Sequence, residues 1–340
     1  MKPAIELYLI TSAACNVRCK SCPAGRKDLA LGGIMSLEML ERILTKSTAE
    51  ARVMLVQLYF YNETFMVPNM DKMISLCHKY KIPALVSTNL TLFKQGPAIL
   101  AACPERLIIS VSGFTQAIYE RSHAGGDIEV VKKNMVEVAK LRSPKTEVQV
   151  SWHHYRYNEH EMPLMEEYAR KLGFSFLSYG TSLCPPRRAL GVWKTGIEDP
   201  SGEDILVPVM AAKQMCFDRR HWDCSGQDQI VVIDSKGILL NCNGAEDDEG
   251  NRRGSLFDTT IPEFIKGRKT DPDCLACRTV GGQIYAMQVY TRSEWSPARL
   301  AGVVYRRLGL TGYLEPLIRK FHGRNLLPLA KREIRVGLKN

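Results

Sequence analysis

The chain has 340 residues, 45% apolar and 24% charged, ordinary values for a soluble globular protein, and long enough for one large core plus a smaller appended unit. No run of eighteen apolar residues occurs, so no transmembrane helix is expected, and eleven cysteines in a chain of cytoplasmic character argue for metal or redox chemistry rather than disulfides. The net charge of +10 is uneven: Ser296 to Asn340 holds ten Lys/Arg and two Asp/Glu, +8, which leaves only +2 on the other 295 residues.

The first 180 residues alternate strand-like and helix-like segments. Ala4–Thr11 reads as a buried strand, and Ser36 can cap a helix whose Leu37, Met39, Leu40, Ile43 and Leu44 recur at helical spacing. Val53–Tyr59 is a second strand, Pro68–Tyr80 a helix, and Ala84–Thr88 the strand after the break at Pro83. Arg106–Val111 with Ile128–Leu141, then Glu147–Trp152 with Glu159–Leu172, continue the rhythm, and Phe174–Tyr179 ends it. Six strands with intervening helices predict an α/β fold, a parallel sheet curved into a partial (β/α)6, TIM-like barrel with its chemistry on loops at the C-terminal strand ends. Thr181–Asp204, with three prolines and three glycines, suits a connector. Ile230–Ile233 and Ile238–Leu240 flank Asp234-Ser235-Lys236-Gly237 as a hairpin. The expected organisation is a barrel over 1–180, a connector over 181–205, a small cysteine-bearing unit over 206–290 and a basic tail over 291–340.

Cys15-Asn16-Val17-Arg18-Cys19-Lys20-Ser21-Cys22 directly follows the first strand. Three thiolates on a short loop can hold three irons of a 4Fe–4S cube and leave the fourth iron open to a substrate or cofactor. A zinc site is the alternative, but zinc motifs usually pair two knuckles to reach four ligands. Ser12-Ala13-Ala14-Cys15 imitates a lipoprotein signal, which Glu6 within the apolar run and the immediately following Cys19 and Cys22 argue against.

On these residues the sequence resembles the radical S-adenosylmethionine superfamily, whose hallmark is CxxxCxxC after the first barrel strand. The resemblance implies that Cys15, Cys19 and Cys22 hold a cluster whose open iron chelates S-adenosylmethionine, and that a 5′-deoxyadenosyl radical abstracts hydrogen from substrate. Ser21 stands where the family often has an aromatic residue. Tyr61-Asn62-Glu63-Thr64-Phe65 corresponds to the family's GGEP-like turn, with only Glu63 retained; Ser87-Thr88-Asn89 resembles its T-N-G; Ser110-Val111-Ser112-Gly113 resembles its S-x-D-G. The resemblance thus implies cofactor contacts at Asn62, Glu63, Ser87, Asn89 and Ser112.

Cys224, Cys242, Cys274 and Cys277 form a second set, whose four soft ligands permit either zinc or a saturated 4Fe–4S cluster. Gly237 to Cys242 with Cys224 upstream resembles the auxiliary-cluster domain called SPASM, or twitch in its shortened form, and implies one auxiliary cluster. Cys216 is spare and can replace Cys224 as ligand.

Cys184 and Cys216 are candidate hydrogen donors to a substrate radical, and His153 or His154 a candidate base, with at most one of the pair pointing inward. Arg187 and Arg188 are a candidate clamp for a carboxylate or phosphate, while Cys77 and Cys103 read as core. The basic tail can dock on the barrel or touch a membrane surface; nucleic acid is not an expected partner. The resemblance implies a reducing partner such as flavodoxin or ferredoxin. It also implies C–H abstraction from a carbohydrate or aminocyclitol-like substrate, giving oxidation or epimerisation. The alternative is a maturase acting on a ribosomally made peptide, for which the fourteen residues before Cys15 disfavour a fused leader-binding domain.

Overall fold

The computed structural model describes residues 2–286 apart from 20–21, 27–32, 181–182, 184–185 and 245–248. All described residues belong to one compact unit, Met1–Thr291. The basic tail, Cys184 and Ser21 lie outside the described residues, and so do the readings made of them.

Alternating apolar residues and short turns produce six parallel strands: β1 (Ala4–Leu9), β2 (Arg52–Gln57), β3 (Ala84–Thr88), β4 (Arg106–Ser110), β5 (Glu147–His154) and β6 (Ser175–Gly180). A hairpin, β7 (Ile230–Ile233) and β8 (Ile238–Leu240), is followed by β9 (Arg252–Ser255). The nine strands form one open sheet in the order β6-β5-β4-β3-β2-β1-β7-β8-β9. The β1–β7 pair is parallel, with Glu6 opposite Ile230 and Leu9 opposite Ile233, whereas β7–β8 and β8–β9 are antiparallel. The strands β7, β8 and β9, from the unit expected over 206–290, therefore share the barrel's sheet.

The main core lies between one face of this sheet and the helices. Ile5, Leu7 and Leu9 of β1, Val148, Val150 and Trp152 of β5, and their counterparts on the strands between are buried there. They meet Leu40, Ile43 and Leu44 from the helix Leu37–Glu50 and Val131, Met135 and Val138 from the helix Ile128–Leu141. Both helices start at a side-chain cap that satisfies orphan N–H groups: Ser36 accepts from Met39, and Asp127 from Glu129 and Val130.

The other face is polar and aromatic. Strand alternation turns Glu6, Tyr8, Ser87, Ser151 and His153 away from the helices. The phenol of Tyr59, just past β2, is pushed up chiefly by burial, and Tyr8 of β1 and Tyr179 of β6 add to the effect.

Two expectations are corrected. The segment read as a connector contains the helix Arg188–Thr195. Its Ala189, Val192 and Trp193 build a second apolar cluster with Val209, Ala212, Cys216, Ile284 and Tyr285. Cys103 is not core: it follows the helix Gly96–Ala101 at φ +55°, half-buried, while Cys77 is buried as expected.

Candidate functional site

The loop after β1 is fastened on three sides. The N–H of Glu63 donates to Ala14 O at 2.9 Å and the N–H of Arg18 to Ala124 O at 2.8 Å; within the loop Cys22 N–H meets Cys19 O at 3.1 Å. Asn16 Nδ2 donates to Thr91 Oγ1 at 2.7 Å, and Asn89 Nδ2 to Asn16 Oδ1 at 3.1 Å and to Cys15 Sγ at 3.8 Å. These bonds hold Cys15, Cys19 and Cys22 at the C-terminal mouth of the barrel, each half-buried. Burial pushes the Cys15 thiol up to about 11, opposed by the Val17 N–H and reinforced by Glu63 and Cys22.

Glu63 is the fastening point. Its side chain is 1% exposed, and its carboxylate accepts from Thr88 Oγ1 at 2.6 Å, Asn89 N–H at 2.7 Å and Phe65 N–H at 2.9 Å. Burial raises its pKa, and the three donors pull it back toward ionisation. The other positions read as cofactor contacts are mostly committed as well. Asn62 spans Phe60 N–H and Thr11 Oγ1. Ser112 is fully buried and accepts from His153 N–H at 3.2 Å. Asn89 Oδ1 is taken up by Thr91. Among the described residues only Ser87 of this set keeps a half-exposed hydroxyl without a hydrogen-bond partner. Glu63, Asn62, Asn89 and Ser112 thus position the loop and the strand ends.

His153 uses both ring nitrogens, Nε2 with Tyr179 OH at 2.6 Å and Nδ1 with Ser112 Oγ at 3.4 Å. Burial lowers it from 6.5 to about 4, so the ring is neutral at pH 7. Arg188 pairs with Asp199 and Arg187 lies 3.7 Å from Asp273, so internal acids already meet both. Cys216 is buried in the second apolar cluster, its thiol pushed up to about 12 by burial.

The second cysteine set is drawn together by three elements. Cys224 caps the short helix Ser225–Gln229, Cys242 follows β8, and Cys274 and Cys277 lie one turn apart on the helix Pro272–Thr279. Burial pushes Cys224 up to about 11 and Cys277 to about 12, and each also feels Cys242 and Cys274. Cys216 lies instead in the second apolar cluster, packed with Val209, Ala212 and Tyr285. Glycines lie beside three of the sulfurs, and at Gly282 a side chain is excluded. A Cβ on Gly226 would lie 3.6 Å from Cys224 Sγ, one on Gly244 3.5 Å from Cys242 Sγ, and one on Gly282 only 2.6 Å from Cys277 Sγ. Asp271 braces the set, accepting from the N–H of Cys274 at 3.1 Å, from Asn241 Nδ2 at 2.9 Å and from Arg253 Nε at 2.9 Å. Its carboxyl sits below the usual range because these donors outweigh the upward push of burial.

Among the described residues no three Cys, His, Asp or Glu side chains close on one point where a single metal ion could sit. A cube places each thiolate on a different iron and so asks for wider separation. Soft thiol donors of this kind, three on one loop and four carried by three elements, suit iron–sulfur chemistry.

Sequence reasoning missed Tyr179, Asp271 and the buried Arg268 beside the second set. Tyr179 ended a predicted strand, which could have flagged it; burial of Arg268 at a helix end leaves no local signal.

Two outcomes follow. Glu63→Ala leaves three buried donors without an acceptor, at about 1–3 kcal/mol each. Denaturant unfolding should show a loss of at least about 3 kcal/mol, and a loss under about 1 kcal/mol would contradict the fastening role. For His153, the unfolded chain binds a proton below about pH 6.5 that the folded chain refuses until about pH 4. Stability therefore falls on acidification through that window, by at most about 1.4 kcal/mol per pH unit for this one ring. His153→Gln should flatten the pH dependence of unfolding between pH 6.5 and 5; a slope equal to that of the parent protein speaks against a buried neutral ring.

No family model and no curated protein matches the chain. Among solved structures it is similar to SuiB of Streptococcus suis bound to S-adenosylmethionine, with TM-score 0.57 and 14% identity over 82% of this chain and 68% of SuiB. SuiB bound to its precursor peptide SuiA gives TM-score 0.57 and 14% identity over 84% and 71%. anSMEcpe with bound AdoMet gives TM-score 0.52 and 18% identity over 77% and 80%. The chain shares with these proteins an open parallel-barrel fold.

Proposed function

We propose that the protein is a radical S-adenosylmethionine enzyme, in which Cys15, Cys19 and Cys22 hold a [4Fe–4S] cluster with one open iron and Cys224, Cys242, Cys274 and Cys277 hold a saturated auxiliary cluster. The observation that carries this reading is the three-thiol loop fastened at the barrel mouth by Glu63, Asn89 and Arg18. The shared fold with SuiB and anSMEcpe, both with S-adenosylmethionine bound, supports it. When bound and reduced by a flavodoxin- or ferredoxin-like partner, the open cluster supplies the electron that cleaves S-adenosylmethionine to the radical that abstracts hydrogen.

The chain's own residues shape what surrounds that event. The polar barrel face, with Glu6, Tyr8 and Ser87, offers hydroxyl and carboxylate partners to a polyhydroxylated substrate. This favours abstraction from a hydroxyl-bearing carbon of a carbohydrate or aminocyclitol, ending in oxidation or epimerisation. With Cys216 packed into apolar surroundings, epimerisation would take its returning hydrogen from Cys184. Oxidation would pass the surplus electron to the auxiliary cluster. His153, neutral and hydrogen-bonded to Tyr179, is the base we assign to the hydroxyl proton, reached through the Tyr179 hydroxyl; its neutral ring supports this reading. A peptide substrate is the second reading, supported by the fold shared with peptide-bound SuiB.

Anaerobically reconstituted protein should be brown and hold about eight irons per chain. With reductant and S-adenosylmethionine it should release 5′-deoxyadenosine. Cys15→Ala/Cys19→Ala/Cys22→Ala should keep about four irons and release none. Colourless protein loaded with zinc, or 5′-deoxyadenosine from the triple variant, would sink the reading. Deuterium transfer into 5′-deoxyadenosine from labelled glycosides, set against labelled peptides, separates the two substrate classes.

A further inference from the structure

Arg268 ends the helix Ile261–Arg268 and is 2% exposed. A guanidinium carries five N–H groups in a rigid fork and stays charged in proteins. Here Nη1 donates to Gly226 O at 3.0 Å and Ile230 O at 2.7 Å, and the plane lies over the Phe264 ring at 4.6 Å. The Nε and Nη2 edge, a complete bidentate fork, is buried and has no hydrogen-bond partner among the described residues. A buried cation with half its donors orphaned is costly unless something anionic meets it.

Its surroundings say what that is. Gly226, whose carbonyl holds Nη1, is the glycine whose added Cβ would lie 3.6 Å from Cys224 Sγ. Cys242, Cys274 and Cys224 all act on the guanidinium electrostatically. The acid that also acts on it, Asp228, lies 3.6 Å from Lys269. The other arginine near these thiols, Arg187, has Asp273 for company. Among the described residues Arg268 is thus a buried cation without a salt bridge of its own, within electrostatic reach of Cys242, Cys274 and Cys224.

We propose that Arg268 is the cationic partner of the cluster held by Cys224, Cys242, Cys274 and Cys277, its Nε–Nη2 edge donating to cluster or cysteine sulfur and its charge favouring the reduced state. This rests on the auxiliary-cluster reading above. Four thiolates around a [4Fe–4S]2+ core carry a net charge of about −2, and one electron from an external reductant makes it about −3, with no proton taken up. A fixed positive charge in a low-dielectric site stabilises the more negative state more strongly. Arg268 is a positioning and tuning residue; its effect is on potential, and it touches no substrate.

The test uses the full chain carrying Cys15→Ala, Cys19→Ala and Cys22→Ala, so that only the auxiliary cluster is present, and reads the midpoint by EPR-monitored titration with dithionite. Arg268→Gln should retain iron and shift the reduced-to-oxidised ratio at fixed poise by about tenfold toward oxidised, about 59 mV for one electron. Arg268→Lys, which keeps the charge and loses the fork, should fall between. In protein grown on 15N-arginine, a nitrogen hyperfine coupling to the reduced cluster should appear and vanish in Arg268→Lys, a readout that does not depend on Arg268→Gln folding. A loaded cluster with an unmoved midpoint and no arginine coupling overturns the proposal. A triple-cysteine variant that binds no iron with Arg268 intact overturns the auxiliary-cluster reading itself, and the proposal with it.

Discussion

One buried carboxylate organises the mouth of this barrel. Glu63 joins three pieces of chain that are distant in sequence: its N–H holds the loop after β1, and its side chain holds the end of β3 and the start of its own turn. Each donor it accepts would otherwise be an orphan in a dry site. The same residue lends its negative field to Cys15. The loop is also held by the Arg18 N–H and by the Asn16–Asn89–Thr91 chain.

The second set of thiols follows a different design. It is built from a hairpin, a helix cap and a helix turn, and the brace is again a carboxylate, Asp271, which caps the helix that carries Cys274 and Cys277. Gly282 leaves Cys277 Sγ room that a side chain would take. The Arg268 guanidinium waits with half of its donors unused. Because β7 pairs directly with β1, this second site is attached to the same sheet as the first.

Much of the scaffold was legible in the sequence. Ala84–Thr88 and Ile128–Leu141 match the expected bounds, and the hairpin turn Asp234–Gly237 forms as its residues require, with Asp234 Oδ1 accepting from Lys236 and Ile238 N–H and Gly237 at φ +82°. The cysteine spacings were legible because cluster chemistry restricts spacing. What escaped were facts that only three dimensions supply. Gly196 and the prolines near 185 read as connector, though Gly196 is the left-handed cap of a real helix and Ala189, Val192 and Trp193 had the spacing to announce it. Glu63 and Ser112 read as ligand contacts because their positions at strand ends are right, but whether a side chain there faces a ligand or fastens a neighbouring strand depends on partners 25 to 50 residues away. Arg268 was silent, since burial of a lone arginine has no periodic signature.

An open fourth iron on the cluster proposed at Cys15, Cys19 and Cys22 can be read by EPR of the reduced full-length protein in which Cys224, Cys274 and Cys277 are replaced by Ala, recorded with and without S-adenosylmethionine. A [4Fe–4S]+ signal whose g-values shift when S-adenosylmethionine is added is the expected result. A signal that the addition leaves unchanged would mean a cube already capped by a fourth protein ligand, and would contradict that reading.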